Sequence, residues 1–262
     1  MRRTVLTSDG LDLAVVEFGG AGPPILLLHG LMGRATTWWS VAQWLTRYGR
    51  VLGLDARGHG RSDARGPWTT GRMTADAAEL LADVGPGVVI GHSMGGLHGL
   101  VLAARHPELV RALVVEDMGV DFRGRSVEDS RAWFGALNRP FASLAAVRQT
   151  FGRPRLEFGD YMAECVEERT DGYHLLARVE HAIGIATEWA ERDHWDAVAS
   201  VRCPVLLIEA EESVAPPGQM AQMARGMPLA RHVLVPGTGH LVHAGDPAAY
   251  RSVVEKFMST HM

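Results

Sequence analysis

Cysteine is scarce in this sequence: Cys165 and Cys203 are the only two among 262 residues, far apart and in unrelated contexts. Two such thiols make no disulfide framework, and the pattern predicts reduced cysteines in a cytoplasmic protein. Paired Cys-x-x-Cys and His-Glu-x-x-His motifs are absent, so no metal site is expected. Long apolar runs are missing too, none reaching the roughly 18 uninterrupted residues of a membrane-spanning helix. The opening Met1-Arg2-Arg3-Thr4-Val5-Leu6 turns polar at once with Thr7-Ser8-Asp9-Gly10, which leaves no apolar core for a secretory leader. Charge of either sign is modest, with 26 Lys and Arg against 30 Asp and Glu, interspersed along the chain to a net −4. No broad basic patch follows, so neither nucleic acid nor a membrane surface is an expected partner. The glycine-rich Gly19-Gly20-Ala21-Gly22 lacks the following helix and the spacing of a nucleotide loop. No cofactor is therefore expected. Repeats and low-complexity tracts are absent, and nothing in the sequence fixes an oligomeric state.

What is present is a chain with 47% apolar residues, enough to fill the core of one large domain or two small ones. Residues 3–18 alternate around the turn-former Ser8-Asp9-Gly10 and predict a hairpin. Short continuous apolar runs follow: Pro24–His29, Val51–Leu54, Val88–Ile90 and Ala112–Val115, with later ones at Pro204–Ile208 and His232–Val235. Such runs suit strands buried on both faces of a parallel sheet. Segments with helical spacing lie near 36–47, 72–83, 94–105, 218–226 and 246–258. This alternation predicts an α/β fold, a mostly parallel sheet with helices on both faces.

The rhythm breaks between residues 120 and 200, where only helix-like stretches occur, carrying Trp133, Phe134, Phe141, Phe151, Phe158, Tyr161, Trp189 and Trp195. The expected organisation is a core built from residues 1–119 and 201–262, with 120–200 as a helical lid insertion. Ligands bind at the C-terminal edge of open α/β sheets, where such a lid would sit. A separate domain remote from the site is the alternative. Glu164, Glu167 and Glu168, at helical spacing, are expected to form a solvated face.

The chemistry centres on Val88-Val89-Ile90-Gly91-His92-Ser93-Met94-Gly95-Gly96, a buried strand followed by Gly-x-Ser-x-Gly and a helix. A serine on so sharp a strand-to-helix turn needs neighbours without side chains, which Gly91 and Gly95 supply. The helix N-terminus adds unpaired N–H groups and a positive dipole for a developing oxyanion. A serine hydroxyl still needs an adjacent base. His240, in Gly237-Thr238-Gly239-His240 after a buried strand, is the candidate, and His243 is its rival.

His29-Gly30 ending a strand, Asp55-Ala56-Arg57-Gly58-His59-Gly60-Arg61-Ser62 after the next, the Ser93 turn and the His240 loop occur in the order of the α/β-hydrolase superfamily, which the chain resembles over nearly its whole length. It looks most like small bacterial esterases and thioesterases and their abhydrolase relatives. That resemblance implies backbone-supporting roles for His29, His59 and His92. It also implies an oxyanion hole from the N–H groups of Leu31 and Met94. Many members place the triad's aspartate where this chain has Ser213, in Glu209-Ala210-Glu211-Glu212-Ser213. The departure moves the acid to Asp117 at the end of the preceding strand, an acidic position shared with the esterase relatives. Glu116 and Glu212 are the fallbacks, and Ser213 is a possible auxiliary member.

The expected function is a cofactor-free serine hydrolase, with Ser93, His240 and Asp117 as catalytic residues, cleaving a small-molecule carboxylic ester or thioester through an acyl-enzyme. Lactone or carbon–carbon bond hydrolysis by the same triad is an alternative. A slow-turnover ligand receptor on this fold is another, because one fold hosts many functions.

Overall fold

A computed structural model describes residues 2–125, 127–137 and 139–261. The predicted hairpin is formed by β1 (Arg2–Leu6) and β2 (Asp12–Gly19), paired antiparallel, with Gly10 at φ 76° in the turn. Then follow β3 (Pro24–Leu28), β4 (Arg50–Leu54), β5 (Gly87–His92) and β6 (Val110–Glu116). In the small antiparallel hairpin β7 (Val166–Arg169) pairs with β8 (Gly172–Leu175), and β9 (Val205–Ala210) and β10 (Ala230–Val235) complete the main sheet. Its eight strands run in the order β1-β2-β4-β3-β5-β6-β9-β10, parallel from β4 to β10.

Strand alternation divides the core into two layers. Ile25 and Leu27 of β3, Val88 and Ile90 of β5, Val114 of β6 and Ile208 of β9 pack on one face. That face is covered by α1 (Trp39–Leu45), which follows a 3₁₀ turn at Ala35–Trp38, and by the C-terminal helix. Leu26, Val89, Leu113 and Leu207, the residues between, pack on the other face against α2 (Thr70–Val84) and α3 (Met94–Arg105). Both sets are buried, which is why these strands read as continuous apolar runs.

Between residues 120 and 200 lie α4 (Val127–Ala136), α5 (Leu144–Phe151), α6 (Leu156–Ala163), α7 (Val179–Glu191) and α8 (Trp195–Ser200). The chain ends with α9 (Gln219–Gly226), α10 (Val242–Gly245) and α11 (Pro247–His261). The inserted block leaves and rejoins the core at adjacent points. Asp121 bridges to Asp193, and the Gln219 side-chain oxygen accepts the N–H groups of Val120 and Asp121 at 2.6 and 3.0 Å. Phe134, Phe141, Val147, Phe151 and Tyr161 form a cluster within the block, but that cluster also includes Met32 and Leu241 from the loops at the sheet edge.

The expectation of helices alone in this block is corrected by the hairpin β7–β8. Its strands are short and partly exposed, so they lack the apolar run of a core strand. Asp171-Gly172 was the available turn signal. Gly172 has φ 131°, and a Cβ there would stand 2.6 Å from the Phe141 carbonyl oxygen. Glu167 and Glu168 accordingly sit on β7 and Glu164 at the end of α6, so the three share no helical face. Among the described residues, no helix is long and apolar enough to cross a membrane.

Candidate active site

The turn from β5 into α3 is shaped by sterics. Ser93 sits at φ 52° and ψ −122°, in a region that side chains rarely adopt, and such strain clusters at functional sites. A Cβ on Gly91 would stand 2.2 Å from the Gly95 carbonyl oxygen, and one on Gly95 would stand 2.2 Å from that of Leu28. Only glycine fits at either position. The Ser93 N–H is anchored to the Glu116 carbonyl of β6 at 2.8 Å, which fixes the turn to the neighbouring strand.

Asp117 follows directly on β6. Its backbone is also left-handed, at φ 47°, a conformation that aspartate tolerates better than most residues. Its carboxylate is fully buried and well supplied with donors. Oδ1 accepts the Ala210 N–H at 3.0 Å, and Oδ2 accepts the Val214 N–H at 3.1 Å and His240 Nδ1–H at 2.7 Å. Burial alone would raise its pKa, but the hydrogen bonds from His240, Ser213 and Ala210 outweigh it and hold the carboxyl below its ordinary value. The Ser213 hydroxyl thus favours the same carboxylate, while its oxygen accepts the Ala215 N–H at 3.0 Å.

His240 is held from two sides. Asp117 fixes its ring, and His92 Nε2–H donates to its backbone carbonyl at 2.9 Å. The two histidine rings lie 4.5 Å apart. Ser93 and His240 line one cavity of about 500 Å³, although no hydrogen bond among the described residues joins them. Nucleophile–base pairs often stay loose until a ligand closes the site.

The other candidates are committed elsewhere. His243 is buried, stacked on Trp38 at 4.7 Å and bound through Nδ1 to both Glu116 oxygens at 2.8 and 2.9 Å. Glu116 is thereby engaged away from His240. Glu212 is exposed and paired with Arg155 at 2.8 Å. His29 donates from Nδ1 to the Gly30 carbonyl at 2.8 Å and accepts the Ala56 N–H on Nε2 at 3.0 Å, tying two loops together. His59 lies 3.0 Å from the Arg57 carbonyl, and Arg57 itself is fixed by Asp76 and Asp9.

Leu31 lines the cavity, whereas the Met94 side chain is buried beside Met73 and Ile185. Met94 is the first residue of α3, so its N–H has no acceptor within the helix. Leu31 follows Gly30, where a Cβ would stand 3.3 Å from Ser93 Cβ and 2.6 Å from His92 Nδ1. The Leu31 loop therefore passes directly over the serine.

The inserted block supplies Phe134, Phe158, Tyr161 and Trp189 to the cavity wall, whereas Phe141 is buried in that block's own cluster. Phe141 is thus no lever on the cavity, contrary to what its position in the sequence suggested, and the Trp133 side chain lies outside the described residues. Sequence reasoning missed Met118, Phe122, Arg125 and Val214, which also face the cavity. Only the proximity of Phe122 and Arg125 to the end of β6 could have pointed to them. Among the described residues, no cluster of His, Cys, Asp or Glu is arranged to hold a metal ion.

A mostly parallel sheet with a strained serine after a central strand, and a histidine–carboxylate pair at the same edge, defines the α/β-hydrolase architecture. The chain belongs to the alpha/beta hydrolase family, which it matches over residues 25–253. It is 28% identical to the sn-1-specific diacylglycerol lipase ABHD11 of Danio rerio, over 96% of this chain and 84% of the relative. The solved structure of an E-2-(acetamidomethylene)succinate hydrolase superposes with a TM-score of 0.88 at 25% identity, covering 99% of both chains. A thermophilic esterase from Thermogutta terrifontis, solved with malate bound, gives 0.79 at 26% identity over the whole of both chains. Hydrolysis is the chemistry that this membership supports.

Proposed function

We propose that the protein is a serine hydrolase that cleaves a carboxylic ester or thioester through an acyl-enzyme. The observation that carries this reading is the 2.7 Å hydrogen bond from His240 to the buried Asp117, at the edge of the cavity that holds Ser93. Ser93 Oγ attacks the substrate carbonyl while His240 Nε2 takes its proton. Asp117 holds Nδ1–H, which fixes the ring's tautomer and stabilises the imidazolium as it forms. The N–H groups of Leu31 and Met94 receive the developing oxyanion, and losing one such donor typically costs ~3–4 kcal/mol of transition-state stabilisation. His240 then gives the proton to the departing alkoxide or thiolate. Water, activated by the same imidazole, releases the acid and regenerates Ser93.

The block 120–200 acts as the lid of this site, and residues 1–119 with 201–262 form the hydrolase core. Its shared cluster with Met32 and Leu241 favours this over a remote domain. The apolar wall suits a hydrophobic acyl portion, and the lipase and esterase among the relatives fit that substrate class.

The test is turnover of p-nitrophenyl esters and matched acyl thioesters over a range of acyl lengths. The reading predicts many turnovers per enzyme, preceded by a burst of one equivalent of leaving group when deacylation is slow. One equivalent without further turnover would favour a ligand receptor. Lactones cleaved while all open-chain esters are refused would favour a lactonase.

A further inference from the structure

The large cavity has walls of apolar and aromatic side chains, and besides Ser93, the histidines and Tyr161 its lining includes one arginine, Arg125, a residue that is also exposed to solvent. Other arginines near the site are neutralised. Arg123, two residues earlier, pairs with Asp121 and Asp193 at 2.8 Å each, and Arg155 pairs with Glu212. Arg125 has no carboxylate partner among the described residues. One terminal nitrogen donates to the Val214 carbonyl at 2.8 Å, and the guanidinium lies over the Phe122 ring, 4.8 Å from its centre. These contacts hold the cation in place without discharging it, and most of its five N–H donors stay available.

Val214 also makes the tether meaningful. Its N–H bonds to Asp117, so the loop that steadies the carboxylate of the His240 pair steadies Arg125 as well. A fixed, unpaired guanidinium facing an apolar cavity is matched by a carboxylate, which can take two parallel hydrogen bonds from it.

We infer that Arg125 determines specificity for a carboxylate at the far end of the substrate's acyl portion, making half-esters or half-thioesters of dicarboxylic acids the preferred class. This rests on the serine-hydrolase reading of the same site. The acyl portion is chosen over the leaving group on geometric grounds. The leaving group departs beside its proton donor, His240, where a second cavity of about 290 Å³ opens without reaching Ser93. The larger cavity, which holds both Ser93 and Arg125, remains for the acyl group.

The experiment compares monomethyl glutarate with dimethyl glutarate, the same chain with its charge masked, for the wild type, Arg125→Gln and Arg125→Lys. The ratio of kcat/KM, anionic over neutral, should exceed ten in the wild type. Arg125→Gln should lower that ratio about ten- to hundredfold, mainly through KM, with partial recovery in Arg125→Lys. An unchanged ratio in Arg125→Gln overturns the inference. A binding measurement separates this from failure of the serine reading: calorimetry of monomethyl glutarate on Ser93→Ala and on Ser93→Ala/Arg125→Gln requires no turnover. A Kd raised at least tenfold by the second substitution supports the carboxylate site even if Ser93 proves not to be the nucleophile. Equal Kd values refute it.

Discussion

Among single residues, the two adjacent carboxylates Glu116 and Asp117 show how position assigns a role. Glu116 is the last residue of β6 and turns to His243, whereas Asp117, just past the strand with a left-handed backbone, turns to His240. Asp117→Asn would keep the shape of the site but favour the wrong imidazole tautomer, a change that costs about 10⁴-fold in turnover in a well-studied triad. Ser213→Ala removes a hydroxyl that favours the Asp117 carboxylate, an effect on the scale of one hydrogen bond to a charged group, roughly 1.5–3 kcal/mol, and should reduce kcat about ten- to hundredfold. Glu212→Gln disturbs only an exposed ion pair with Arg155, so kcat should stay within about twofold. Steady-state kinetics of the three variants check this order, and Glu212→Gln proving the most damaging would move the acid to the loop after β9. The sequence pointed to Asp117 because serine stands where an aspartate is common. Arg125 was illegible in the same sequence, because Asp121-Phe122-Arg123-Gly124-Arg125 holds two arginines and one carboxylate with nothing to say which arginine that carboxylate neutralises. That distinction depends on Asp193 and Val214, distant in the chain.

Among elements, the parallel strands were legible because burial on both faces leaves one signal, a short unbroken apolar run. The turn at Ser93 was legible for a different reason: its glycines meet a steric demand that acts within a few residues and across to β3. The inserted block lacked both kinds of signal, so its hairpin and the facing of its aromatics were hidden until packing was known. Phe158 and Phe141 now separate cleanly. Phe158 is partly buried and lines both cavities, while Phe141 is buried within the block. Phe158→Ala should shift the preferred ester chain length upward, read as kcat/KM across an acyl series. Phe141→Ala should instead destabilise the protein by about 3–5 kcal/mol, read as a lower urea midpoint with the chain-length profile unchanged. The opposite pattern would exchange their roles.

At the scale of the whole molecule, the buried histidines set a limit on acid stability. Burial, partly offset by the hydrogen bond to Gly30, lowers the His29 pKa to about 4. Burial together with the neighbouring His29 lowers His59 and His98 to about 3 each. Unfolding returns each imidazole to a pKa near 6.5, so below that pH the unfolded chain binds more protons than the native one. Their contribution is complete above about pH 6.5 and is lost as pH falls toward the folded values, at up to about 1.4 kcal/mol per group per pH unit. The urea midpoint at pH 5 should therefore lie well below that at pH 7.5. A midpoint flat across that interval would contradict neutral, buried imidazoles.

The central claim is that Ser93 forms the covalent intermediate, and labelling tests it most directly. The wild-type protein, treated with a fluorophosphonate and digested, should carry the adduct on the peptide containing Ser93 at close to one equivalent, as read by mass spectrometry. Ser93→Ala should take up no label and lose ester turnover by several orders of magnitude while keeping the wild-type urea midpoint. Label on another residue, or undiminished ester hydrolysis by Ser93→Ala, would contradict the account.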